Sequence, residues 1–295
     1  VFGYQAGNLI GSGDNNNVFI GHLVADANMT NAIENVGIGV SALSALTSGD
    51  KNICIGYSAG EVLTDSSSCI LIGDRCGDLI NNTSADGTVG IGSGALTALT
   101  TGAGNIAVGY QSLQAITVGD DNVAVGKQAL YSMNTADGND NNIAIGTSAL
   151  YTAGGSTNVA MHNIAIGTNA LKLNQTGDFN IGIGANAGTA LTAAGKTIAI
   201  GEGALKGVAT QDGTIAIGYE ALNDLTSGAG NTVIGYQSSD AMTTATLNTA
   251  VGYQSLSASV DGDRNTALGY QSMLIYESGA DVGENTCVGY QAGAE

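Results

Sequence analysis

Residues 248–271 read NTAVGYQSLSASVDGDRNTALGYQ, and the motif at the start of this stretch recurs after 17 residues. The same wording recurs along the chain around one glycine per copy, which we number position zero. Ten of the sixteen intervals between these glycines are 17 residues long, and the others are 18 to 21. Such a period predicts that each copy is one structural unit stacked on its neighbours. The seventeen glycines are Gly3, Gly21, Gly39, Gly56, Gly73, Gly92, Gly109, Gly126, Gly146, Gly167, Gly184, Gly201, Gly218, Gly235, Gly252, Gly269 and Gly289.

The residues just before each glycine predict a short strand. Position −1 is aliphatic in every copy but the first, position −3 is β-branched, and position −2 between them is mostly small. This alternation has the strand period, and β-branched residues favour extended backbone. We predict that the −1 and −3 side chains face the core, so that Ile200→Asp breaks the stack and Gln254→Asp is nearly silent. The residues taken to define that core are Ile55, Val108, Ile145, Ile166, Ile200 and Ile217.

The rest of each copy predicts a turn and a second side of the unit. Asn occupies position −4 in twelve of sixteen copies. It either closes a turn through its side chain or forms an amide ladder between copies, and both roles are compatible. Leu is the commonest residue at position +4, where it is expected to fill the core from the second side.

These columns predict an all-β protein, a parallel β-solenoid (β-roll or β-helix) of about 17 rungs with a 17-residue repeat. No single copy can bury its apolar face, and stacking in register solves this. We interpret residues 1–295 as one continuous array and as a fragment of a longer fibre protein. Helical repeats are disfavoured because helix–turn units of this length are too short to pair.

Composition excludes several classes of function. The formal charge is −18, from 25 acidic against 7 basic residues, so neither nucleic acid nor an anionic membrane surface is an expected partner. No apolar run is long enough for membrane insertion. His22 and His162 are far apart in the repeat and have no nucleophile partner, so no catalytic residue is assigned and the protein is not expected to be an enzyme.

No cofactor or metal is expected. An Asp column at position −6 runs from Asp50 to Asp263, but adjacent copies rarely both carry the acid, and Ca²⁺ needs six to eight oxygen ligands. An occasional surface Ca²⁺ is the alternative to a solvated acidic edge. The four cysteines fit no zinc spacing and are interpreted as small buried apolar residues.

The words Asn-Ile-Ala-Ile-Gly (142–146 and 163–167) and Asn-Thr-Ala-Val-Gly-Tyr-Gln (248–254) resemble the repeat arrays of phage tail fibres. They are also similar to the head repeats of trimeric autotransporter adhesins, although the unit here is longer. The resemblance covers the whole chain. It implies a homotrimer of parallel β-rolls, located extracellularly on a virion or, alternatively, on a bacterial surface. The small residues at −2 and +3 are expected to lie between chains; their alternative role is to fit a cramped interior.

Surface recognition is expected at two kinds of residue. A Tyr column at position +1 forms a stripe that either stacks on sugar rings or packs against a neighbouring chain. The insertions between copies are either recognition loops or tolerated bulges. The candidate residues are Tyr219, Tyr236, Tyr253 and Tyr270 in the stripe, and Tyr131, Tyr151, His162 and Tyr276 in the insertions.

The function expected from these observations is the structural shaft of a trimeric viral tail fibre involved in host attachment. Its partners are further copies of itself and a cell-surface glycan or protein receptor. The alternative is the head of a trimeric autotransporter-like adhesin or another microbial surface filament. A polysaccharide-degrading β-helix is disfavoured because the acids are spread along the repeat. An ice-binding rod is disfavoured because Thr232, Thr249, Thr266 and Thr286 occupy a column that is predicted to face the core.

Overall fold

The computed structural model describes residues 1–81, 85–132, 139–152, 160–208, 211–274 and 283–294. Regular structure in these ranges consists of short strands and turns, with no α-helix. The fold is an all-β parallel β-solenoid with a 17-residue spacing, as predicted. The described residues divide into two compact units, Val1–Ile145 and a second that begins at Gly146. That residues 1–295 form one continuous array stays a prediction.

The first unit contains eight strands, each paired in parallel with the next along the chain. The register follows the repeat, so that Ile53 lies beside Ile70 and Cys54 beside Leu71. An isolated bridge joins Phe2 to Ile20 ahead of the first named pair. The strands are β1 (Val18–His22), β2 (Val36–Val40), β3 (Ile53–Ile55), β4 (Ile70–Ile72), β5 (Val89–Ile91), β6 (Ile106–Val108), β7 (Val123–Val125) and β8 (Ile143–Ile145).

The second unit also contains eight parallel strands in chain order. Ile181 pairs with Ile198, and Thr249 pairs with Thr266, again one repeat apart. The strands are β9 (Ile164–Ile166), β10 (Ile181–Ile183), β11 (Ile198–Ile200), β12 (Ile215–Ile217), β13 (Thr232–Ile234), β14 (Thr249–Val251), β15 (Thr266–Leu268) and β16 (Thr286–Val288).

The core of each turn lies on the side of the strand opposite to the predicted one. The middle residue of the strand is buried, as Ala144 and Ala199 show, and its two flanking residues are half-buried or exposed. Leu at position +4 and the apolar residue at +7 are buried against it from the second side, as predicted for +4; Leu96 and Leu99 are an example. The prediction that the −1 and −3 side chains form the core is therefore wrong for the single chain.

The sizes of the side chains that the strand and the second side of the turn place in the core are complementary. Where the strand has Gly at its middle, a Leu from the second side fills the space: a Cβ on Gly182 would lie 2.7 Å from Leu171 Cγ. The converse holds at Leu71, because a Cβ on Gly77 at position +4 would lie 2.8 Å from Leu71 Cδ2. Interiors are packed to nearly constant density, so one side can be large only where the other is small.

The glycine at position zero is required by the spacing between turns. Gly109 has φ of +140°, and a Cβ there would lie 2.4 Å from the carbonyl oxygen of Gly126 in the next turn. No other residue combines that backbone conformation with such a close approach. The corner between the two sides of the roll therefore depends on this column.

Asn at position −4 forms a buried amide ladder between turns, as predicted. Its side chain also bonds within its own turn, since Asn122 Nδ2 donates to the Asp120 carbonyl at 3.1 Å. Asn180 accepts a hydrogen bond on Oδ1 from the backbone N–H of Thr197 (3.0 Å) and donates through Nδ2 to the carbonyl of Ala194 (2.8 Å). Its own N–H donates to Oδ1 of Asn163 (2.9 Å). Cys69, Thr88, Thr197 and Thr214 interrupt the column.

The second side of each turn contains non-glycine residues in the left-handed conformation. Gln111 and Leu113 have φ of 55° and 47°, and the same two positions repeat in other turns. This conformation is costly for any residue that has a Cβ atom, because that atom approaches the following carbonyl oxygen. It is offset by hydrogen bonds between turns, such as Leu113 N–H to the Ala129 carbonyl at 3.0 Å, and by burial of the Leu side chain.

Three cysteines are buried in the first unit as free thiols. Burial raises the pKa of Cys69 to about 11 and that of Cys76 to about 12, and it raises the pKa of Cys54 well above its ordinary value. A raised thiol pKa keeps the group neutral at physiological pH, which suits small apolar residues in a core.

Candidate functional site

One repeated surface feature is the outer strand face, which we define as the side chains of the first and third residues of the core strand triplets (positions −3 and −1). Ile145 is 39% exposed and Ile166 is 37% exposed although both lie in paired strands. In the first unit all sixteen such side chains are Ile or Val. With strands about 4.8 Å apart, the face of eight strands extends about 34 Å. A continuous apolar surface of this kind marks an interaction site more often than a solvent-facing one.

The six residues predicted to define the core all lie on this outer strand face. Four are half-buried and two are exposed. Period-two alternation places −1 and −3 on one side and −2 on the other, but it does not say which side faces inward. The prediction placed the larger −1 and −3 side chains inside the roll. In the structure, the Leu residues at position +4 occupy that interior volume. The residues concerned are Ile55, Val108, Ile145, Ile166, Ile200 and Ile217.

The small residues at −2 and +3 lie inside the roll and not on its outside. Ala107 and Ser112 are both fully buried within the turn around Gly109. The expectation that these columns face neighbouring chains is therefore wrong, and the alternative that they fit a cramped interior is correct.

The four tyrosines predicted as a stripe form a stacked ladder in the second unit, and Tyr290 extends it. Successive ring centroids lie 5.1–5.2 Å apart with interplanar angles of 5–14°. Tyr290 also occupies position +1 of its copy, but the predicted stripe covers only the four successive copies from Tyr219 to Tyr270. The ladder consists of Tyr219, Tyr236, Tyr253, Tyr270 and Tyr290.

Stacking determines what the tyrosine ladder can contact. Each interior ring, such as Tyr253, has a neighbouring ring on both faces, so its edge and hydroxyl remain for a partner. A sugar ring needs a free aromatic face to stack on. The expected stacking of sugars along the stripe is therefore unavailable at interior rings, although a hydroxyl can still hydrogen-bond a partner.

An amide ladder runs beside the tyrosines at position +2. Gln271 Nε2 donates to Gln254 Oε1 at 3.0 Å, and Gln254 Nε2 donates to Gln237 Oε1 at 3.3 Å. Gln237 Nε2 donates in turn to the Glu220 carboxylate at 2.9 Å. Each Gln side chain thus donates to the preceding turn. The negative charge of Glu220 raises the pKa of the neighbouring Tyr219 phenol, and the hydrogen bond between the two side chains raises it further.

The predicted insertion residues do not form one site. Tyr131 lies in the first unit, where its carbonyl accepts from Ala115 N–H. In the second unit, Lys172 Nζ lies 5.9 Å from the centre of the Tyr151 ring, and His162 contacts Phe179 edge-on with centroids 5.0 Å apart. Tyr276 lies outside the described residues.

The aspartates at position −6 hold neighbouring turns together. Asp120 Oδ1 accepts from Ala103 N–H at 2.8 Å, and Asp178 Oδ1 accepts from Met161 N–H at 2.9 Å. Satisfying a backbone donor in this way is a sufficient structural reason for the column. Among the described residues, no group of three or more His, Cys, Asp or Glu could hold a metal ion.

The Thr column of β13–β16 lies on the outer strand face. Thr249 and Thr286 are exposed, and Thr232 and Thr266 are half-buried. The assignment of this column to the core is therefore wrong, which removes the reason for disfavouring an ice-binding rod.

The fold defines a β-solenoid repeat protein, and the single chain presents a largely aliphatic sheet face on the outside of its strands. No family model, curated protein or solved structure matches the chain. In the part of the chain that the structure describes, no helix is long and apolar enough to cross a membrane.

Proposed function

We propose that the chain is the structural shaft of an extracellular trimeric fibre, a viral tail fibre that takes part in host attachment. The observation that carries the proposal is the outer strand face, which repeats two aliphatic side chains per strand through the first unit and over β9–β12. A catalytic role is not part of the proposal. A seventeenth rung, formed by the copy around Gly3, is supported by the bridge between Phe2 and Ile20.

The energetics of the outer strand face support self-association. Full burial of an Ile contributes about 1.5–3 kcal/mol, so covering the exposed two-fifths of one such residue contributes about 1 kcal/mol. In the first unit six of the sixteen aliphatic residues are 37–45% exposed and the other ten are half-buried, so the summed contribution is less than sixteen times this value. It falls within the estimated cost of association, about 4–15 kcal/mol. Copies of the same chain offer the same face at the same spacing, and closed symmetry lets each copy bury it.

A trimer is preferred over other closed assemblies because the wording of the repeat resembles phage tail-fibre arrays and trimeric adhesin heads. The same architecture would also suit a trimeric adhesin head or a microbial surface filament, which is the alternative function. Sequence beyond this chain would separate the two: a virion-attachment region and tip chaperone for a tail fibre, or a secretion signal and membrane anchor for an adhesin.

The proposal is tested by measuring the mass of the protein in solution by light scattering over a hundredfold dilution. We expect three chains that stay together on dilution, because the outer strand faces would be buried throughout. A stable single chain with intact strand circular dichroism would contradict the fibre proposal and leave the solenoid unaffected.

A second candidate function, an ice-binding surface, is favoured by the outward Thr column of β13–β16. Four Thr hydroxyls and methyl groups in register, about 4.8 Å apart, make a short regular array. This function needs the face to be exposed, so it requires the single chain that the fibre proposal excludes. A monomer that shows thermal hysteresis would support it, and a monomer without hysteresis would eliminate it.

A further inference from the structure

The first unit has a notch on the second side of the roll where the side-chain columns are interrupted. The columns at +1 and +2 contain Asp74 and Arg75 in one turn and Tyr110 and Gln111 two turns later. The turn between them has Ser93 and Gly94 at these positions. A cavity of about 170 Å³ lies there, and these six residues line it together with Thr97 and Gln114.

The backbone turn at the notch is present, and only a large side chain is missing from it. Gly94 N–H donates to the Asp74 carbonyl at 2.9 Å, and Gln111 N–H donates to the Ser93 carbonyl at 3.0 Å. The backbone ladder is therefore continuous through the notch. The rows on either side are two strand spacings apart, about 9.6 Å, which leaves room for one ring at the height that a tyrosine occupies in the ladder of the second unit.

One wall of the notch offers an aromatic face. Tyr110 is 51% exposed, and the residue at its position in the preceding turn is Ser93, which has no ring. Interior rings such as Tyr253 have both faces covered by other tyrosines. The face of Tyr110 toward the notch is thus the kind of surface on which the C–H face of a sugar ring packs.

Hydrogen-bonding groups surround that face. Gln128 Nε2 donates to Gln111 Oε1 at 3.0 Å, which repeats the direction of the amide ladder in the second unit. By that pattern Gln111 Nε2 would donate to position +2 of the preceding turn, where Gly94 has no side-chain acceptor. Arg75 on the opposite wall adds donors, and the neighbouring Asp74 carboxylate adds acceptors. Donors and acceptors arranged around an apolar face suit the vicinal hydroxyls of a sugar.

Charge distinguishes between neutral and acidic sugars. Asp74 and Arg75 line the same cavity. Burial raises the pKa of the nearby Asp78, and the Arg75 charge lowers it to a smaller extent. With acids close to the only cation of the notch and a net charge of −18 on the chain, an anionic ligand is disfavoured.

We propose that this notch binds the ring of one neutral pyranose in a cell-surface glycan, with the sugar stacked on Tyr110 and its hydroxyls bonded to Gln111, Arg75 and Asp74. The inference deepens the host-attachment function proposed above and rests on it for its biological setting.

The test uses saturation-transfer NMR on the full chain with methyl glucoside, methyl galactoside and methyl mannoside, and with glucuronic acid as the acidic comparison. We expect transfer to at least one neutral pyranoside. Tyr110→Ala should weaken that binding by roughly tenfold or more, equivalent to about 1.4 kcal/mol. The double variant Ser93→Tyr with Gly94→Gln should abolish it by supplying the missing ring and amide.

The double variant is expected to fold, because a Cβ on Gly94 meets nothing closer than Gln111 Cγ at 3.4 Å and its left-handed φ of +70° resembles that of ladder glutamines. Tyr253→Ala is the matched control, since it removes a tyrosine with covered faces, and its binding should equal that of the parent. Preferential binding of glucuronic acid, equal binding by all variants, or no binding to any sugar would each overturn the proposal.

The mass of the same samples separates this proposal from the fibre proposal. A single chain whose sugar binding depends on Tyr110 would refute the fibre and keep the site. A trimer that binds none of the sugars would refute the site and keep the fibre.

Discussion

The outer strand faces of β1–β8 and β13–β16 share a backbone and differ in side chains. The first region carries Ile or Val at both outer positions of every strand, whereas the second has Thr at the first outer position of each strand. The tyrosine ladder, which begins one turn earlier at Tyr219, accompanies the change. The buried positions do not change in parallel, since the strand centres stay small or apolar in both regions. The difference teaches that the fold is maintained from inside each turn, while the outer face is free to vary with its surroundings.

The largest expected effect comes from reversing the two faces of one strand. Ala199→Asp places an unpaired carboxylate at a fully buried position of β11, which is expected to cost several kcal/mol and to unfold the neighbouring turns. Ile200→Asp, one residue along, places the carboxylate on the outer strand face, where water reaches it. The folded chain should persist while assembly is lost.

Urea unfolding followed by circular dichroism measures the first effect, and light scattering measures the second. A stable Ala199→Asp protein together with an unfolded Ile200→Asp protein would show that the aliphatic side chains at −1 and −3 face the core. The distinction between a buried strand centre and an outer strand face would then be wrong.

A smaller effect is expected from the buried Asn ladder at position −4, which occurs in both regions. Asn180→Ala leaves the Ala194 carbonyl and the Thr197 N–H without their partner inside the roll, which should lower the free energy of unfolding by about 3 kcal/mol. Asn180→Thr imitates the residue found in the next turn and should lose less. Chemical denaturation checks both variants, and equal losses would contradict the prediction by showing that the Thr hydroxyl replaces none of the hydrogen bonds that the Asn side chain makes.

The smallest effect is expected from making the second region resemble the first. Thr249→Val keeps a β-branched side chain at an exposed position of β14, so the stability of the single chain should change by less than about 0.5 kcal/mol. If the outer strand face is buried between chains, the methyl group that replaces the hydroxyl should instead tighten assembly. Sedimentation at several concentrations measures this, and weaker assembly would indicate that the Thr hydroxyls have polar partners in the complex.

The sequence by itself determined the repeat, the strand within each copy and the parallel register. These follow from local rules: β-branched residues favour extended backbone, and identical copies bury their apolar residues by stacking. The amide ladder followed as well, because a buried Asn at a fixed position has few ways to satisfy its hydrogen bonds other than in the next turn. The tyrosine stripe was predicted from its column, but the covering of its faces was not, because ring orientation depends on the neighbouring rings.

Only the tertiary structure decided which face of the strand points inward. Alternation along Ile198, Ala199 and Ile200 is the same whichever side is buried, and side-chain size favoured the wrong side. The roll is thin, so the strand and the second side share one volume, and Leu at +4 and apolar residues at +7 occupy most of it. Small strand centres are the consequence, and the large aliphatic residues remain outside. The notch beside Tyr110 likewise depends on what stands in the adjacent turns, which becomes apparent only when the turns are stacked.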